Sequence, residues 1–166
     1  MTLEPLLSAS PIIQIHAYAA IAAFILGACV LFRRKGDARH KAMGRFWVAL
    51  VAVVAVSSLF IWEIRIFGLF SPIHILSLVT LFGLYKGVRH ARARRIALHR
   101  RTMQALYLGA LGIAGIFTLA PGRIMHRVVF GVDAGFPLNP FVLAAGIALA
   151  LLAGWLVVRA RRLPEA

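Results

Sequence analysis

Long apolar runs alternate with short polar ones along the whole chain. Residues 11–32, 43–64, 71–89, 102–121 and 138–159 are largely apolar, and between them lie short stretches crowded with Arg and Lys or with Gly and Pro. A run of about 20 apolar residues crosses a hydrocarbon core of about 30 Å at about 1.5 Å per residue. The pattern therefore predicts five membrane-spanning helices. Pro11 suits the first turn of the first span, Gly36 breaks the chain after it, and Asp37 is placed to cap the second. Trp47 and Trp62 mark the two interfaces of the second span as an aromatic belt. Ser71 and Pro72 open a short third span, extended inward by Lys86 and Arg89, whose stems line the helix while their heads reach the interface. The fourth begins near His99 and runs to Pro121, with Gly109, Gly112 and Gly115 along one side, where a neighbouring helix or a flat ligand approaches closely. In the following loop, rich in Gly and Pro, the segment IMHRVVF reads as a short interfacial helix.

Composition agrees. At 61% hydrophobic and 14% charged residues, with a mean hydropathy of +0.87, the chain lacks the polar surface a soluble domain needs. The expected fold is an all-α, polytopic membrane bundle forming one domain over the 166 residues. The net charge of +14 looks like a nucleic-acid signature until its placement is read. All but three of the 19 basic residues fall in stretches 33–45, 86–101 and 159–162; only Arg65, Arg123 and Arg127 lie in the alternate loops. Basic loops stay in the cytoplasm. The N-terminus is then outside and the C-terminus cytoplasmic, anionic lipid head groups are natural partners, and nucleic acid is not. The N-terminal stretch MTLEPLLSASP has no basic region of a cleaved signal, so the first span is expected to stay. Cys29, the single cysteine, reads as a small buried hydrophobe.

Histidines supply the candidate chemistry. His40 and His99 each stand where a basic stretch gives way to an apolar run, and each has a companion, His16 or His74, one apolar run earlier. This two-helix repeat places His16 and His74 near the outer ends of the first and third spans, and His40 and His99 at the inner ends of the second and fourth. An imidazole in hydrocarbon is costly unless partnered, so such residues tend to mark cofactor, proton or ion sites. Two facing neutral imidazoles suit the axial positions of a b-type haem. Ala19, Ala20 and Ala23 follow His16 at helical spacing and leave room for a porphyrin edge. Arg45 and Arg100 inside, and Arg65 or Arg123 outside, are placed to pair with haem propionates.

Plainer readings compete. His90, among arginines, reads as a solvated loop residue, and His126 as either an interfacial or a site residue. Each of the other four would also be satisfied by one hydrogen bond inside a bundle. A zinc or copper site wants three or four clustered ligands, for which His16, His74 and His126 are the outer candidates, with His40 and His99 inside. Glu63 and Asp133 are isolated acids in outer loops, so no hydrolase-like carboxylate pair is visible. No span carries an acid near its midpoint to couple transport to an ion.

The segments HKAMGRFWV, FSPIHILSLVTLFGL, HRRTMQALYLGALGIAGIFTL and PGRIMHRVVFG resemble those of a bacterial family of predicted membrane proteins catalogued as domain of unknown function 2306, over roughly residues 11–131. The resemblance implies a small multi-pass inner-membrane protein and supplies no activity. The alternating histidines are also similar to the ligand scheme of cytochrome b-561 proteins, dihaem transmembrane electron carriers, although this chain has one span fewer. That similarity implies an outer haem on His16 and His74 and an inner one on His40 and His99, with a quinone or a redox protein as exchange partner. Two classes remain open: a membrane electron carrier or oxidoreductase with one or two haems b, and a non-catalytic membrane subunit or assembly factor with structural histidines.

Overall fold

The computed structural model describes residues 2–62 and 72–131. Among these every regular element is helical and there is no strand. They belong to two compact units, one spanning Ala9–Tyr107 and one whose described residues are 2–8 and 108–131. The expected fifth span at 138–159, together with Glu63, Arg65, Ser71 and Asp133, lies outside the described residues.

The larger unit is two helical hairpins. Helix α1 (Glu4–Leu7) precedes it; α2 (Pro11–Phe32) and α3 (Ala38–Ser58) form the first hairpin, and α4 (Pro72–Arg92) and α5 (Ile96–Ala105) the second. Of the described helices, α2 and α3 are each long and apolar enough to cross a membrane. Pro11 occupies the first turn of α2, as its missing amide and fixed φ favour. At the far end Gly36 turns the chain at φ 89°, a conformation open to glycine. Asp37 then caps α3, its Oδ1 accepting the His40 amide at 2.7 Å while its Oδ2 accepts from the Arg33 guanidinium at 2.6 Å. Lys35 donates its ammonium to the Leu31 and Arg33 carbonyls, which α2 leaves without amide partners.

The second turn is tighter than its composition suggests. The stretch expected to be a basic loop is helical on both sides, with α4 running to Arg92 and α5 resuming at Ile96. Between them Arg94 adopts φ 57°, and its amide and that of Arg95 bond back to the Ala91 and His90 carbonyls at 3.1 and 2.9 Å. This is a Schellman closure with arginine where glycine is usual. Helix α4, where the third span was expected, is thus 21 residues long. Its basic side chains lie as expected along the helix, Lys86 Nζ 4.7 Å above the Phe82 ring and Arg89 5.9 Å from that of Tyr85.

Glycines set the helix spacing inside this unit. A Cβ at Gly27 would lie 2.5 Å from Trp47 Nε1 and 2.6 Å from the Tyr107 ring; one at Gly83 would lie 2.8 Å from Leu106, and one at Gly87 would overlap Met103. Gly83 and Gly87 form a small-xxx-small pair that lets α5 and the residues after it lie close on α4. A Cβ at Gly109 or Gly115, in the stripe singled out from the sequence, would meet nothing within 4 Å. Outward-facing residues include Ile21, Ile25, Leu78, Val79 and Phe82, all exposed, the surface expected of helices solvated by lipid. Cys29 faces outward as well, contrary to the buried position expected of it, since α2 is apolar on every side and nothing in its pattern marks an inner face.

The stretch expected to form the fourth span is not a uniform α-helix. After α5 the chain adopts a π-helical stretch, Leu106–Ile113, and regains α geometry in α6 (Ala114–Thr118). In the smaller unit α7 (Ile124–Phe130) occupies the IMHRVVF segment expected to be helical, and packs with α1, where Leu6 and Val128 are buried.

Candidate functional site

All four repeat histidines fall in the Ala9–Tyr107 unit, on four different helices. His16, in the second turn of α2, reaches the C-terminal part of α3, with Nδ1 3.1 Å from the Val54 carbonyl and 2.9 Å from Ser57 Oγ. Ser57 itself donates to the Val54 carbonyl at 3.0 Å. A carbonyl only accepts, so the tautomer that satisfies all three groups carries its proton on Nδ1 and leaves the lone pair on Nε2. His74, in the first turn of α4, is 4% exposed, and its ring lies 5.2 Å from that of Trp62 at 36°. One turn further, Ser77 shares a hydrogen bond with Ser58, tying α4 to the same end of α3. His16 and His74 therefore flank one end of α3.

At the opposite end His99 donates from Nδ1 to the Gly87 carbonyl at 2.9 Å, a reach that the close α4–α5 approach permits. Its Nε2 also keeps the lone pair. His40, in the first turn of α3, is near enough to His99 for the two ring charges to interact, and Asp37, Lys35 and Arg33 also act on it. His40 Nδ1 is buried without a hydrogen-bond partner among the described residues. From His16 to Ala23 along α2 and from Trp47 back to His40 along α3 is about 20 Å in all, and His74 to Gly87 along α4 is about the same, at about 1.5 Å per residue. His16 and His74 thus lie toward one end of the unit and His40 and His99 toward the other.

An imidazole whose Nδ1–H is held by a carbonyl presents an oriented Nε2, the usual arrangement of a metal-ligating histidine. His16 and His99, one histidine at each end, fit the axial ligation of haem in that respect. Arg45 and Arg100 are exposed, one or two positions beyond a helical turn of His40 and beside His99 respectively. Arg123 belongs to the smaller unit, where its guanidinium lies 4.6 Å over the Phe117 ring. His126 belongs there too, buried, its Nδ1–H directed at the Leu119 carbonyl at 2.9 Å and its ring 5.0 Å from that of Phe130. His90 is half-buried in the last turns of α4 and offers its carbonyl to the α4–α5 turn. Among the described residues no three of His, Cys, Asp and Glu group as metal ligands would.

Two features differ from the sequence reading. The small residues after His16 line the contact with α3: Ala23 is 0% exposed and its carbonyl accepts the Trp47 indole N–H at 2.9 Å. Trp47 is therefore not a belt residue at an interface; it is 4% exposed and directed into the middle of the unit, where the missing side chain of Gly27 leaves room for its ring. The serine seam of Ser57, Ser58 and Ser77 was not singled out from the sequence, although serines within apolar runs were a legible signal. Nor was the Gly83–Gly87 pair, whose spacing is the more specific packing motif.

A family model described as "Predicted membrane protein (DUF2306)" matches residues 13–158. No curated protein and no solved structure matches the chain.

Proposed function

The chain belongs to this family of predicted membrane proteins, and from that premise we propose that it is a multi-pass bacterial inner-membrane protein of five spans that binds haem b and carries electrons across the bilayer through two bis-histidine sites. His16 and His74 would hold the outer group and His40 and His99 the inner one, with Arg45 and Arg100 placed for inner propionates and Arg65 or Arg123 for outer ones. Haem would supply a one-electron carrier; the protein would supply the imidazoles, and in one histidine of each pair, His16 and His99, a main-chain carbonyl sets the free Nε2. What supports the reading is placement: His16 and His74 lie toward one end of α3 and His40 and His99 toward the other, about 20 Å away along the helices. A quinone or a redox protein would exchange electrons at either face.

A second reading has its own support. The bonds from His16 to Val54 and Ser57, and from His99 to Gly87, each join two helices, so the histidines would equally serve a non-catalytic subunit as polar clasps. Colour separates the two. Purified protein expressed with ample haem should show a Soret band that shifts on dithionite reduction, with sharp α and β bands. Ala at His16 or His74 should remove one spectral component, and Ala at His40 or His99 the other. Losses that cross the pairs would refute the assignment, and a colourless preparation that cannot be reconstituted would leave the clasp reading, with His16, His74 and His126 to be tested for zinc or copper.

A further inference from the structure

Between the two histidine pairs, at mid-height of the Ala9–Tyr107 unit, aromatic rings from three helices meet. Trp47 of α3 donates its indole N–H to the Ala23 carbonyl at 2.9 Å, and Tyr107, which follows α5, donates its hydroxyl to the Phe24 carbonyl at 3.1 Å. The Tyr107 ring stacks on Phe24 at 5.5 Å and 22°. Both Trp47 and Tyr107 press on one point of α2, within 2.5 and 2.6 Å of where a Gly27 Cβ would stand. Both are buried, at 4% and 9% exposure.

The spacing along each helix repeats. Phe24 follows His16, Trp47 follows His40 and Tyr107 follows His99 by about two helical turns, about 10–12 Å, which returns each ring to its histidine's face. A packing residue has no need of that register on three helices. We propose that Trp47 and Tyr107, with Phe24 stacked beside them, form the bridge through which an electron crosses from the outer histidine pair to the inner one. This rests on the electron-carrier reading above.

The step is one electron. A quinol-class donor would deliver its two electrons to the outer site one at a time, its two protons leaving to the outer aqueous phase; for each electron the outer site would be oxidised by one and the inner site reduced by one, and no bond would be made or broken in the transfer between them. The rings do not take the electron as radicals. Oxidised Trp47 or Tyr107 would have to shed its N–H or O–H proton, and the groups facing those protons are the Ala23 and Phe24 carbonyls, which do not act as bases. They offer delocalised orbitals partway between the two pairs, each ring about 10–12 Å along its helix from that helix's histidine.

The test uses full-length haem-loaded protein in liposomes, a membrane-impermeant reductant on the outer side, and the α band that His40→Ala removes as the signal of inner-site reduction. Trp47→Leu and Tyr107→Leu should each slow inner-site reduction by an order of magnitude or more with haem content and midpoint potentials unchanged, while Tyr107→Phe, which keeps the ring, should hold the native rate. Unchanged rates in both leucine variants overturn the bridge. A second readout is independent of electron flow and of those variants. With Trp62→Phe and Trp155→Phe leaving Trp47 as the emitter, its fluorescence should be quenched to similar extents in His40→Ala protein loaded only outside and in His16→Ala protein loaded only inside; quenching by one site alone overturns the midway placement. If the unaltered protein shows no Soret band after reconstitution, the electron-carrier reading itself fails, before any rate is measured, and the bridge with it.

Discussion

Gly27→Ala tests the packing at the centre of the larger unit. In an exposed helix the change would stabilise by about 1 kcal/mol, because glycine has the poorer helix propensity. Here the added methyl would stand 2.5 Å from Trp47 Nε1 and 2.6 Å from two Tyr107 ring atoms. Neither ring retreats freely, since each is tethered to an α2 carbonyl, at 2.9 Å for Trp47 and 3.1 Å for Tyr107. Overpacking of this kind costs about 1–3 kcal/mol, and losing either tether adds about 1 kcal/mol. The net expectation is destabilisation by about 1–3 kcal/mol after the propensity gain. Reversible unfolding in mixed micelles would measure it. Two further variants identify the cause. Gly109→Ala, where the methyl meets nothing within 4 Å, should cost little. In a Tyr107→Ala background much of the clash is relieved, so Gly27→Ala should cost clearly less than it does alone, a coupling that a double-mutant cycle resolves. A Gly27→Ala protein as stable as the parent, or a cycle with no coupling, would refute the close ring contact.

Three other variants probe the turns and the serine seam. The Asp37 carboxyl is held below the ordinary carboxylate range, chiefly by the His40 amide and further by the Arg33 guanidinium, against an opposing desolvation. A depressed value means stabilisation that is present above the ordinary carboxylate range and is lost as pH falls through the folded value; unfolding followed from about pH 6 to about pH 3 should show an acid limb that Asp37→Ala flattens, and an unchanged limb would refute the cap. Arg94→Gly removes the side-chain penalty at φ 57° and should raise stability by about 1 kcal/mol, read as a higher unfolding midpoint; a lower one would contradict the left-handed turn. Ser77→Ala deletes the hydrogen bond to Ser58, which keeps its bond to the Ala55 carbonyl at 2.8 Å; the expected loss is about 1 kcal/mol in the same unfolding assay, and a loss several times larger would mean that the seam supports more than one helix contact.

Wherever the determinant was a short-range chemical rule, the sequence alone was sufficient. Pro11 opening α2, Gly36 turning the chain, Asp37 capping α3 and the IMHRVVF helix all rest on interactions within a few residues, and each is found where the residue types put it. The apolar runs likewise point to a membrane protein, in keeping with the family to which the chain belongs. The histidine spacing was legible as a repeat, and the grouping into two ends follows from it once consecutive helices fold back on one another. What the tertiary structure decided is which side of each helix faces in. A helix apolar on every side, such as α2, carries no periodic signal for its inner face, so Cys29 is found outward and Gly27 inward; on the other helices too the packing decides, with Trp47 buried and the close approach at Gly83 and Gly87 instead of Gly109 and Gly115. The same holds for the site. That a histidine sits near a helix end is a property of the chain, whereas the choice of ring nitrogen that carries the proton belongs to the neighbouring helix, whose Val54 or Gly87 carbonyl arrives only when the hairpins close.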